Sequence, residues 1–135
     1  SLTKLCKLSP VPDYFNVLAV DDDALILRLV EVACRPFDLK VTMRSATTVH
    51  AAIDLAKKTK FQLLILDHDV AGIKGWELYD YLKQWLDPKV QVVVYSGSVD
   101  AIAAAKYKER GIDSILKKPL SANSLGFWIR KAIGI

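Results

Sequence analysis

The chain is poor in cysteine, carries no long apolar run and has little excess charge of either sign. Its two cysteines, Cys6 and Cys34, form no CxxC or other metal-ligand spacing, so they read as reduced thiols rather than a disulfide framework or zinc site. No stretch approaches the about 18 apolar residues that a membrane-spanning helix needs. The start, Ser1 to Asp13, lacks the apolar core of a secretory signal, so the expected location is cytoplasmic. Lysine and arginine number 19 against 15 aspartates and glutamates, a net charge of +4, and no basic run exceeds two residues. So scattered a surplus excludes a nucleic-acid footprint of the clustered kind. Repeats and low-complexity segments are also missing.

What is present is a globular composition, 52% hydrophobic and 25% charged. At about 150 residues per domain, 135 residues make one domain. Ser1–Phe15, with Pro10 and Pro12 and no clear period, reads as an N-terminal extension or linker; residues 16–135 form the domain. Five short apolar runs rich in β-branched residues recur: Asn16–Val20, Leu39–Arg44, Gln62–Leu66, Val90–Tyr95 and Ser114–Leu116. Helical patterns separate them, over Ala24–Cys34, Thr48–Lys57, Trp76–Leu86, Asp100–Arg110 and Ala122–Ile133. Strands alternating with helices predict an α/β domain with a parallel sheet. The uninterrupted runs Leu63–Leu66 and Val92–Val94 fit strands covered by helices on both faces. Pro36, Pro88 and Gly111 fall where helices should stop.

In such folds the functional crevice lies at the carboxyl ends of the strands. That directs attention to Asp21-Asp22-Asp23, Asp67-His68-Asp69, Ser96-Gly97 and Lys117-Lys118-Pro119; Ser45 and Ala46, after the second run, offer little chemistry. Acids from two strand ends that converge repel one another, and a hard divalent cation such as Mg²⁺ relieves the repulsion. Asp23 also suits a helix N-cap, and Asp21 and Asp22 the first turn of a helix. Asp67 is placed to act as a nucleophile towards phosphorus. Lys118 and the Ser96 hydroxyl are suited to phosphoryl oxygens, and Gly97 leaves room for them.

Four such positions in this order resemble a response-regulator receiver domain of two-component signalling, similar to the single-domain chemotaxis receivers. The resemblance runs from about Asn16 to Ile133. It is carried by Val17–Asp23, by Leu63–Asp67 with Gly75-Trp76-Glu77-Leu78 following, by Val92–Gly97 and by Leu116–Leu120. It implies a doubly wound five-stranded sheet in the flavodoxin-like order 2-1-3-4-5, with five helices on both faces. It further implies a switch rather than an enzyme, catalysing only its own phosphorylation and dephosphorylation. Asp67 would accept a phosphoryl group from the phosphohistidine of a sensor kinase or phosphotransfer protein. Asp22, Asp67 and the Asp69 carbonyl would bind Mg²⁺, with Asp21 acting through water. Ser96 and Lys118 would hold phosphoryl oxygens, and the peptide before Pro119 is often cis in this family.

Departures from the family pattern include Ala71 in place of a loop proline, Lys74 in place of an aspartate, and Ile115 in place of an aromatic switch residue. The additional Asp69 carboxylate is expected to alter the phosphoryl lifetime. Of Phe127, Trp128 and Ile129, one should face outward and, with Tyr107, mark a partner surface on the helix 4–strand 5–helix 5 face. Asp67-His68-Asp69-Val70 also resembles the first motif of haloacid-dehalogenase-type phosphatases. Those enzymes need acids after the lysine, and Pro119 to Ile135 has none. A receiver-like module that is never phosphorylated is the other alternative.

Overall fold

The computed structural model describes residues 15–38 and 40–134. The expectations for the N-terminal extension, for Cys6 and for Leu39 lie outside the described residues. Strands β1 (Phe15–Val20), β2 (Val41–Ala46), β3 (Leu63–Leu66), β4 (Gln91–Ser96) and β5 (Ser114–Lys117) form one sheet, in the order β2-β1-β3-β4-β5. Every pairing in it is parallel. Helices α1 (Ala24–Cys34), α2 (Val49–Lys58), α3 (Gly75–Leu82), α4 (Ala101–Glu109) and α5 (Ala122–Ile133) connect and follow the strands. Among the described residues no helix is long and apolar enough to cross a membrane.

Alternation along the strands sorts the core into two layers. Val17, Ala19, Leu63, Ile65, Val93 and Tyr95 face α1 and α5, where Leu27, Val30, Leu125 and Ile129 meet them. Leu18, Val20, Leu64 and Leu66 face the other way, against Ala52 and Ala56 of α2 and Leu78 and Leu82 of α3. The central strand β3 is buried throughout, which accounts for its unbroken apolar sequence. A small third cluster, Val94, Tyr107 and Ile112, lies at α4.

The helix starts are set by side chains. Asp23, Thr48, Asp100 and Ser121 each accept a backbone N–H at the N-cap of α1, α2, α4 and α5. Gly111 and Gly134 take the left-handed conformation at helix ends, φ +75° and +87°.

Three expectations are corrected. The second strand runs to Ala46, so Ser45 and Ala46 belong to the strand; its polar Arg44 and Ser45 are exposed at the sheet edge, where no apolar pattern is required. The third helix ends at Leu82, and Trp85 and Leu86 donate to Leu82 and Lys83 in tighter turns ahead of Asp87-Pro88. Tyr107 is fully buried and contributes nothing to an outer surface, whereas Phe127 is 66% exposed and Ile129 is buried.

Candidate functional site

Parallel strands align their carboxyl ends, and the three adjacent strands β1, β3 and β4 deliver Asp21, Asp67 and Ser96 to one edge. Asp21 follows β1, and its N–H donates to the Ala46 carbonyl at 3.1 Å. The Asp67 N–H donates to the Val20 carbonyl at 2.9 Å, which continues the β1–β3 ladder into the site. Oxygens of Asp21, Asp22 and Asp67 lie within 4.8 Å of one another. From β5, the Lys118 ammonium donates to Asp21 Oδ2 at 2.7 Å and approaches Asp67 Oδ1 at 3.4 Å. Asp21 Oδ1 accepts the Asp23 N–H at 2.9 Å. Asp67 Oδ1 accepts the His68 N–H, also at 2.9 Å.

Three carboxylates thus face a single ammonium, and the site keeps an uncompensated negative charge. Burial pushes the Asp21 carboxyl above the usual range, against the opposing pull of Lys118 and the Asp23 N–H. Burial also works against the Lys118 cation, but its bond to Asp21 and the nearby Asp67 hold its pKa above the ordinary lysine value. Lys118 is held from below by Tyr95, whose ring centroid is 5.5 Å from the ammonium and whose hydroxyl accepts the Leu120 N–H at 3.0 Å. The Lys118–Pro119 peptide is cis, in accord with the expectation.

Ser96 ends β4, is largely buried and accepts the Lys118 N–H on its carbonyl at 2.9 Å. With Gly97, Ser98, Val99, Ile115 and Lys117 it lines a cleft of about 240 Å³. Ile115 is therefore a wall of that cleft. The Asp69 side chain stands outside the carboxylate group. It accepts the Gly72 N–H at 2.9 Å and pairs with Lys74 at 3.3 Å, and these contacts hold its carboxyl below the ordinary value.

Asp69–Val70 and Ile73–Lys74 pair as a short antiparallel hairpin over Ala71-Gly72. Both turn residues have positive φ, +51° and +87°, as the type I′ class requires. The Ala71 N–H donates to Asp22 Oδ2 at 3.0 Å, a bond that the absent loop proline would have no hydrogen to make.

The family model described as "Response regulator receiver domain" matches residues 17–129. The chain belongs to the response-regulator receiver family. Receivers are signalling switches rather than ordinary enzymes, and they work with histidine kinases. Among curated proteins, the chain is 27% identical over 118 residues to the two-component response regulator ARR10 of Arabidopsis thaliana, covering 87% of this chain and 21% of that protein. It is 25% identical over 124 residues to the sensor protein GacS of Pseudomonas syringae pv. syringae, covering 89% of this chain and 14% of that one. The receiver thus spans about a fifth or less of the curated relatives it matches. Among solved structures, a CheY-like response regulator receiver domain protein from Methanospirillum hungatei JF-1 superposes with a TM-score of 0.76 at 20% identity, covering 89% of this chain and 94% of that chain. At that identity the likeness concerns the fold, and the fold is the doubly wound receiver architecture expected from the sequence.

Residues that sequence reasoning missed are those beneath and beside the acids. Tyr95 precedes Ser96 in a strand, so its side chain points to the opposite face and props Lys118 from there. The His68 ring and Tyr107 hydroxyl meet at 2.7 Å although they are far apart in sequence; no local spacing signals such a pair.

Proposed function

We propose that this receiver takes a phosphoryl group onto Asp67 from a phosphohistidine on a sensor kinase or phosphotransfer protein, and that Mg²⁺ is required. The observation that carries the reading is the Lys118 ammonium reaching both Asp21 and Asp67 within the carboxylate group. The donor set is all oxygen and excessively negative, which fits a hard divalent cation held by Asp22 and Asp67 with the Asp69 carbonyl, Asp21 acting through water. When bound, Mg²⁺ neutralises charge on the transferring group.

In the transfer, an Asp67 oxygen attacks phosphorus in line, the phosphorus–nitrogen bond of the phosphohistidine breaks, and the imidazole leaves with its electron pair. Lys118 exchanges a carboxylate for a phosphoryl oxygen and the Ser96 hydroxyl donates to another. The resulting dianionic group biases the loop after β4 and the surface beyond it. With Tyr107 buried and Phe127 lining a groove with Val32, Ala33 and Pro36 at the α1 side of α5, self-association through the α4–β5–α5 face would rest on Ile102, 75% exposed.

Incubation with Mg²⁺ and acetyl phosphate, followed by intact mass, tests the reading. The wild type is expected to gain one phosphoryl mass, and Asp67→Asn none. A wild type that gains nothing overturns it in favour of a receiver-like module that is never phosphorylated. Steady release of phosphate from simple esters overturns it in favour of a phosphatase.

A further inference from the structure

His68 touches the acceptor and α4 at once. Its N–H donates to Asp67 Oδ1 at 2.9 Å. Its ring Nδ1 lies 2.7 Å from the Tyr107 hydroxyl, which projects from the last turn of α4. The same hydroxyl sits over the start of α3, where the Gly75 N–H donates to the His68 carbonyl at 2.8 Å. Gly75 makes this approach possible: a Cβ there would collide with the hydroxyl and stand 2.8 Å from the Asp67 carbonyl. The Trp76 ring closes the cluster, with centroids 5.5 Å from His68 and 5.8 Å from Tyr107.

Burial keeps the Tyr107 phenol protonated. Its hydroxyl and His68 Nδ1 share one hydrogen bond, donated by whichever of the two carries the hydrogen. The contact is directional: it fixes the ring of the residue after Asp67 against one point on α4. Little else fixes α4. Only Ala103 and Tyr107 are buried along it, with the Arg110–Asp80 pair tying the residue after it to α3.

We infer that the Tyr107 hydroxyl, through the His68 ring, is the positioning contact by which the state of Asp67 is passed to α4. This rests on Asp67 being the phosphoacceptor. A group esterified to Asp67 alters the carboxylate that the His68 N–H bonds, and the ring–hydroxyl contact biases α4 between two placements.

The test uses the full chain with Mg²⁺ and beryllium fluoride as the phosphoryl mimic, read by backbone amide chemical shifts. In the wild type, amides of residues 67–75 and of α4 are both expected to move. In Tyr107→Phe, which removes one oxygen, the 67–75 changes persist, while the α4 response falls about fivefold, the effect of one lost hydrogen bond on a two-state equilibrium. His68→Phe, which keeps a ring and removes the bonded nitrogen, is expected to do the same, and carries the test should Tyr107→Phe not fold. A full α4 response in either folded variant overturns the inference. Wild-type changes confined to 67–75 overturn it while leaving the acceptor reading intact. No wild-type change around Asp67 overturns both.

Discussion

Helices α1 and α4 pack against the same sheet by different means. Along α1, Leu27, Val30, Ala33 and Cys34 are all buried, and Leu125 and Ile129 of α5 belong to the same core layer. Along α4 only Ala103 and Tyr107 are buried, and Ile102 points into solvent. What α4 lacks in apolar area is supplied by polar contacts: the Tyr107 hydroxyl on His68 and the Arg110–Asp80 pair. Apolar burial is non-directional and indifferent to charge, whereas hydrogen bonds and ion pairs have geometry and respond to it. A helix held in the second way suits a switch, and one held in the first way suits a frame.

The sharpest way to break the comparison is in the frame. Leu125→Ala is expected to cost about 2–5 kcal/mol, since it empties a fully packed position; chemical denaturation checks it, and a loss no larger than that of an exposed site would refute the assignment. Mg²⁺ is expected to stabilise the site edge by up to about 2.7 kcal/mol at a hundredfold excess over its dissociation constant. Thermal melts should show that gain in the wild type and a much smaller one in Asp22→Asn. Gly75→Ala is expected to cost about 1–3 kcal/mol by overpacking against Tyr107 and the Asp67 carbonyl. Its damage should appear as faster amide exchange in α4, with α1 unaffected.

The smallest effect is electrostatic. The Arg110 hydrogen bond holds the Asp80 carboxyl below its ordinary value of 3.8. An unfolded chain therefore binds the proton first, so the stability from this pair is present above that pH and is lost as pH falls through the folded value. Asp80→Asn should flatten the acid limb of a melting-temperature profile below pH 3.8. Because the Asp80 side chain is 35% exposed, solvent screening keeps the change modest, and an unaltered acid limb would remove the pair from the account.

The sequence made the frame legible because its signals are local. The run Leu63–Leu66 announces a central strand, and α1 and α5 occupy the residues that their patterns predict. The acids and Lys118 were legible because parallel strands convert order along the chain into proximity at one edge. The turn at Ala71-Gly72 was not, since both residues have positive φ and only glycine advertises that conformation. The burial of Tyr107 was also hidden. A tyrosine in a helix of alanines and lysines looks like a surface aromatic until its hydroxyl is seen to meet His68, in the loop after β3.

The three tryptophans of this chain have three different neighbours. Trp85 lies 5.0 Å beneath the Lys57 ammonium and Trp128 lies 5.8 Å from that of Lys131, whereas Trp76 stands beside His68, the residue after Asp67. An indole so placed is a native optical gauge. With Trp85 and Trp128 replaced by phenylalanine, the remaining emission would follow the charge on Asp67 in real time, with no dye attached to the molecule.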